Sequence, residues 1–150
     1  MVFSSGKSVT AFVVALMVER GLVDYGEKVS TYWPEFGQNG KDDITVADVL
    51  RHEAGLAQAF DQPLQLEDIQ TKNLKRNAVG KIIESSGPSF PKDNKNKDGT
   101  SSKRQYHAVT RGMILNEIVR RVDPKGRTVG EILREDIAIP GKSIKLPPPL

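Results

Sequence analysis

Residues 9–18 carry no charge, and Glu19, Arg20 and Gly21 close the run. It is far shorter than the roughly eighteen apolar residues that a membrane span needs. Val9, Phe12, Val13, Leu16 and Met17 recur at helical steps, which places them on one face. Gly21 suits the left-handed residue that ends a helix. The reading is a buried helix over residues 4–20. Shorter helical patterns follow, separated by polar breaks and with no internal repeat. Tyr32, Trp33, Pro34, Glu35 and Phe36 form an aromatic cluster broken by proline, with a polar turn over residues 37–43 behind it. Trp33 reads as core packing. Thr45 and Asp48 have the spacing of a capping box, opening a short helix through Val46, Val49 and Leu50 that Gly55 would stop. A looser stretch over residues 66–84 presents Ile69, Val79, Ile82 and Ile83, weakened by Gly80. Residues 107–122 are predicted as a helix with Val109, Met113, Ile118 and Val122 on one side, ended by Asp123 and Pro124. A second capping box, Thr128 with Glu131, opens a last helix carrying Val129, Ile132, Leu133 and Ile137 up to Pro140. Strands are hard to find, so the chain taken by itself should be mostly α.

Composition bounds the class. With 150 residues, 37% hydrophobic and 27% charged, the chain has the make-up of one soluble globular domain rather than a disordered protein. We read residues 1–141 as that domain and 142–150, rich in proline, as a disordered tail. Residues 85–105 read as a loop, because Gly87, Pro88, Pro91 and Gly99 interrupt any regular element. Within it, residues 92–103 alternate lysine with Asp, Asn, Gly and Ser and hold no aromatic to stack on a base. That tract reads as solvated, and no nucleic-acid partner is expected. The start lacks the basic, apolar and small-residue order of a secretory signal, so the compartment is unknown and cytoplasmic only by default. The absence of cysteine excludes disulfides, thiolate metal sites and a cysteine nucleophile. His52 and His107 have no acidic partners at metal-ligand spacing, and no phosphate-loop or dinucleotide signature occurs. No metal and no cofactor is expected, and oligomeric state leaves no mark.

Ser4 and Lys7 stand at the start of the first helix with the spacing Ser-x-x-Lys. Their side chains fall on one face, one turn apart, where backbone N–H groups are free. A serine hydroxyl is too weak an acid to attack an acyl carbon unaided and needs an adjacent unprotonated base. Burial and the positive end of the helix dipole both favour the neutral amine at Lys7, and the N–H of Ser4 could face a developing oxyanion. The pattern alone is weak, since Ser89 and Lys92 match it too, in a proline-flanked loop.

The surrounding text is more specific. Val2-Phe3-Ser4-Ser5-Gly6-Lys7, then Val18-Glu19-Arg20-Gly21-Leu22, Tyr32-Trp33-Pro34-Glu35-Phe36, Asn39-Gly40-Lys41, Ile44-Thr45-Val46 and Leu50-Arg51-His52-Glu53-Ala54-Gly55-Leu56 closely resemble the beta-lactamase-related serine hydrolases. That family includes class C beta-lactamases, esterases, D-amino peptidases and the animal mitochondrial beta-lactamase-like protein. The resemblance continues through Tyr106-His107-Ala108 and Arg120-Arg121-Val122-Asp123 to Glu135-Asp136-Ile137. It implies Ser4 as the acylated nucleophile, Lys7 as its partner, and Tyr106 as the tyrosine that passes the proton to the leaving group. Tyr106 suits that role if nearby cations bring its pKa down from about 10. His52, near a helix C-terminus, reads as holding a turn rather than carrying protons.

The departures from the family matter as well. Its members carry sheet strands before the nucleophile and a third motif, Lys-Thr-Gly or His-x-Gly, on a later strand; neither has a match here. The second motif reads Tyr-His-Ala where beta-lactamases have Tyr-x-Asn, so Ala108 offers no side-chain amide. Residues 92–103 resemble an insertion, and Pro140-Gly141 stands for the family's Pro-Leu-Gly. The implied fold is α/β, beta-lactamase/transpeptidase-like, of which this chain covers the nucleophile helix and helical insert and lacks most sheet strands. The expected function is a serine hydrolase working through an acyl-serine on a small-molecule ester, amide, lactam or peptide, esterase- or peptidase-like. The alternative is a catalytically inactive truncated fragment or scaffold of the same family, its shortness a gene-model error.

Overall fold

The computed structural model describes residues 3–60, 64–89 and 104–138. The lysine tract of residues 92–103, Pro140-Gly141 and the 142–150 tail lie outside them. Seven helices are present among the described residues: α1 (Gly6–Glu19), α2 (Val29–Tyr32), α3 (Val46–Leu50), α4 (Thr71–Leu74), α5 (Ala78–Ser85), α6 (Thr110–Val122) and α7 (Val129–Ile132). Short 3-10 turns at Phe3–Ser5 and Pro34–Gly37 lead into α1 and follow α2, and a π-type turn at Leu133–Ile137 extends α7. Among the described residues the isolated pairing of β type is an antiparallel bridge between Lys28 and Thr45.

Local chemistry sets several helix ends. Both capping boxes form: Thr45 accepts from the Asp48 N–H while the Asp48 carboxylate accepts from the Thr45 N–H, and Thr128 with Glu131 repeats the pattern. Each satisfies two donors that a helix start leaves orphaned. At the other end of α1, the N–H of Gly21 bonds to the Val18 carbonyl and that of Leu22 to the Met17 carbonyl. This is a Schellman motif, and Gly21 takes the left-handed φ of +68° that it requires. The α3 end differs from expectation. It stops at Arg51, before Gly55, through the same two bonds made by His52 and Glu53, with His52 at a φ of +65°.

The core lies around α6, which packs against α1, α3, α5 and α7. Ile114, Leu115, Ile118 and Val119 on α6 are fully buried, each contributing roughly 1.5–3 kcal/mol on leaving water. The sequence reading of this helix needs correction in two respects. It begins at Thr110 rather than residue 107, and Val109 is exposed while Arg111 and Glu117 are buried. A helix surrounded by neighbours buries more than one face, so a single apolar stripe does not describe it. The polar members are paired instead: the Glu117 carboxylate accepts from Arg120 and Arg121.

The α1 expectation also holds only in part. Val13, Val14 and Met17 are buried, whereas Val9 and Phe12 are exposed. Residues 66–84 are split: α4 ends at Leu74, and Asn77, at a φ of +59°, stands immediately before α5. Ile69 and Ile82 accordingly face solvent, and Val79 and Ile83 are buried. Trp33 is core, as its sequence context indicated: it is fully buried beside Phe36, with ring centroids 5.3 Å apart. Its indole N–H donates to Glu84 at 2.8 Å. The polar turn behind it caps α5. Asn39 and the buried Lys41 ammonium donate to the carbonyls of Glu84, Ser85 and Ser86, the groups that a helix C-terminus leaves free.

Candidate active site

Ser4 lies in the 3-10 turn that runs into α1, and Lys7 is in the first turn of the helix proper. Ser4 is exposed, and Lys7 is half-buried rather than fully covered. The third candidate comes from far along the chain. Tyr106 lies 102 residues from Ser4, yet the Ser4 Oγ and the Tyr106 Oη are 2.5 Å apart, and either hydroxyl can donate. Lys7 Nζ sits 4.8 Å from the centroid of the Tyr106 ring and donates to the Ala108 carbonyl at 2.8 Å. The three residues singled out from the sequence are therefore one cluster. Lys7 reaches Tyr106 and the backbone after it, and the direct partner of Ser4 is the phenol.

Charge and hydrogen bonding act on that phenol together. The hydrogen bond with Ser4, then hydrogen bonding and charge from Lys7, with a smaller contribution from Arg111, hold the Tyr106 pKa below its ordinary value. Arg111 is buried beneath the site and ties it to the scaffold. Its guanidinium donates to the Lys7 carbonyl and to the Leu50 carbonyl, 3.2 Å in each case, joining the first turn of α1 to the end of α3.

The segment carrying Tyr106 is held by two histidines. The carbonyl of His52 accepts from the Gln105 N–H at 2.9 Å, and its Nδ1 accepts from the His107 N–H at 3.0 Å. His107 is fully buried; its Nε2 accepts from the Leu56 N–H at 3.0 Å and its Nδ1 lies 2.6 Å from the Gln105 carbonyl. A ring nitrogen that accepts a backbone N–H carries no proton, so both rings are neutral, with Nδ1–H on His107 and Nε2–H on His52. Burial is the largest influence lowering the pKa of both, and the Arg111 charge adds to it. His52 thus holds a turn, as its position suggested.

Arg111 was not among the residues singled out from the sequence, and His107 was named there only within the Tyr106-His107-Ala108 motif and as a histidine without metal-ligand spacing. A signal existed for Arg111, a lone arginine one turn before Ile114 and Leu115 in a helix that buries them. Ser89, the second Ser-x-x-Lys serine, has no such setting: its hydroxyl donates to the Gly55 carbonyl at 2.9 Å. Among the described residues no group of three or more His, Cys, Asp or Glu is placed to hold a metal, and no helix is long and apolar enough to cross a membrane.

A family model described as Beta-lactamase matches residues 1–149. The chain belongs to the beta-lactamase family. Within that family it is 34% identical over 143 residues to the esterase/beta-lactamase LipL of Mycobacterium tuberculosis (strain ATCC 25618 / H37Rv), covering 93% of this chain and 29% of LipL. Among solved structures it is similar to a penicillin-binding protein homologue from Caulobacter crescentus, at 38% identity and a TM-score of 0.71 over 91% of this chain and 33% of that one. It is likewise similar to a family VIII carboxylesterase, at 31% identity and a TM-score of 0.72, covering 92% of this chain and 34% of the other. The fold is that of these beta-lactamase/transpeptidase-like neighbours. This member spans about a third of their length, and its described part is helical.

Proposed function

We propose that this chain carries the acylating centre of a serine hydrolase of the beta-lactamase family, with Ser4 as nucleophile, Tyr106 as the group that moves its proton, and Lys7 as the charge that makes this feasible. The observation that supports it is the 2.5 Å approach of the Ser4 and Tyr106 oxygens, with the Lys7 ammonium 4.8 Å over the tyrosine ring. In this reading Ser4 Oγ adds to the acyl carbon as its proton passes to the Tyr106 oxygen. Collapse of the tetrahedral adduct breaks the bond to the leaving group, which takes that proton back from Tyr106. Water then attacks the acyl-serine, and free Ser4 and a carboxylic acid result. The Ser4 N–H, at the positive end of α1, faces the developing oxyanion.

The substrate class in this reading is a small ester or amide. Ala108 stands where beta-lactamases place an amide side chain, and its carbonyl is taken up by Lys7, so an esterase- or peptidase-like activity fits better than lactam hydrolysis. The name of the family VIII carboxylesterase points the same way, while that of LipL, esterase/beta-lactamase, carries both activities. One oxyanion donor is typically worth a factor of about 100–1000, and the reading here rests on the Ser4 N–H alone, so a strong electrophile is the appropriate probe. The test is intact-mass detection of a covalent adduct on the purified chain after exposure to a fluorophosphonate. One adduct is expected on the unaltered chain and none on Ser4→Ala. Equal labelling of both would remove Ser4 from the role, and a folded chain that takes no label would overturn the reading that Ser4, Lys7 and Tyr106 here form an acylating centre.

A further inference from the structure

His52 touches the segment of Tyr106 at three points. Its carbonyl accepts from Gln105 N–H, its Nδ1 accepts from His107 N–H, and its ring lies 5.0 Å, centroid to centroid, from that of Tyr106. The first holds the Arg104–Gln105 peptide and the second the Tyr106–His107 peptide, so backbone is fixed on either side of Tyr106. The position of His52 is in turn set by α3. It occupies the left-handed site of the Schellman end, where φ is +65°, a site that turn geometry alone would give to glycine. A histidine there adds what glycine cannot: a ring, and an acceptor directed at the backbone after Tyr106.

We infer that His52 is a positioning residue for Tyr106, holding the phenol at its distance from Ser4 through its carbonyl and its Nδ1, and that it is not a proton carrier. The inference rests on the acyl-transfer reading of Ser4 and Tyr106. Its Nδ1 is already occupied as an acceptor, which leaves no lone pair for a substrate proton. Burial, then the nearby charges of Arg111, Lys7 and Arg104, hold the ring neutral, consistent with a fixed structural role.

Two substitutions separate the turn from the clamp. His52→Gly keeps the left-handed turn and loses ring and acceptor. His52→Asn also tolerates the turn, and its Oδ1 takes the place of Nδ1. The readouts are the rate of Ser4 acylation by a fluorophosphonate and the titration of Tyr106 followed by NMR of tyrosine labelled at Cζ, with Tyr25 and Tyr32 as internal references. In His52→Gly, acylation is expected to slow by about 100-fold, the cost of a misplaced reacting group, and the Tyr106 titration to move up toward that of a free phenol. In His52→Asn both should stay near the unaltered chain. A glycine variant that acylates at the original rate with an unmoved Tyr106 titration overturns the inference, as does an asparagine variant that fails as badly as glycine. If the unaltered chain takes no label, the hydrolase reading fails while the Tyr106 titration still decides the role of His52. If His52→Gly does not fold, the titration in His52→Asn decides it: unchanged supports the acceptor role, and a shift to the free value overturns it.

Discussion

Tyr106 is exposed over about half its surface, with 55% of it accessible, and that openness matters for its chemistry. An exposed phenol owes its lowered pKa to specific partners rather than to burial, and here these are the Ser4 hydroxyl and the Lys7 ammonium. Removing the hydroxyl in Tyr106→Phe should slow Ser4 acylation by about 100- to 10,000-fold, the usual contribution of a general acid–base, with the helices intact by circular dichroism. The same partners set a pH dependence. In the proposed reaction the phenolate is the proton acceptor, so acylation should rise with pH along a limb that lies below the ordinary tyrosine value of 10.0, because the folded pKa is lowered. Lys7→Met removes one of the lowering influences and should move that limb to higher pH; stopped-flow acylation across the range measures it. The roles proposed for Ser4, Lys7 and Tyr106 came from motif order in the sequence. Their contact did not, because nothing local ties residue 4 to residue 106.

Among the elements, the parts legible in the sequence are those whose partners are close along the chain. Thr45 and Asp48 form the capping box that their spacing announced, and Thr45→Ala should cost about 1 kcal/mol in chemical denaturation. Gly80 carries the opposite lesson. Read as a weak point of a helix, it is instead a packing site: a Cβ there would lie 3.0 Å from Cζ2 of Trp33 and would also collide with the Asn77 side chain. Trp33 is fully buried and has nowhere to go. Helix propensity alone would make Gly80→Ala stabilising by up to about 1 kcal/mol. We expect it to destabilise, with a lower urea midpoint and an unchanged slope. The early stop of α3 at His52 was likewise invisible, because histidine is an uncommon choice for a left-handed turn and its reason lies in the Tyr106 segment.

For the whole molecule, the buried His107 and the half-buried His52 make stability respond to mild acid. His107 and His52 have pKa values lowered in the fold from the ordinary 6.5. The unfolded chain therefore binds more protons between 6.5 and the folded values, and stability must rise with pH across that window. Above 6.5 the contribution is fully present, and it is lost as pH falls through the window, before the carboxylates begin to titrate. Tm measured from pH 7.5 downward should start to drop near 6.5, and His107→Gln should flatten that first step. A flat Tm down to the carboxylate range would show that the rings are not neutral acceptors. The predominance of helix, the end of α1 at Gly21, both capping boxes, the burial of Trp33 and the family motifs with their candidate Ser4, Lys7 and Tyr106 were determined by the sequence itself, since each rests on residues a turn or two apart or on an ordered set of short motifs. Tertiary structure alone decided which faces of α6 and α1 are covered, why Gly80 is a glycine, and how His52 and Arg111 brace the segments bearing Tyr106 and Lys7. Those outcomes depend on surfaces that meet only after the chain has folded back on itself, and no local pattern encodes which surface will meet which.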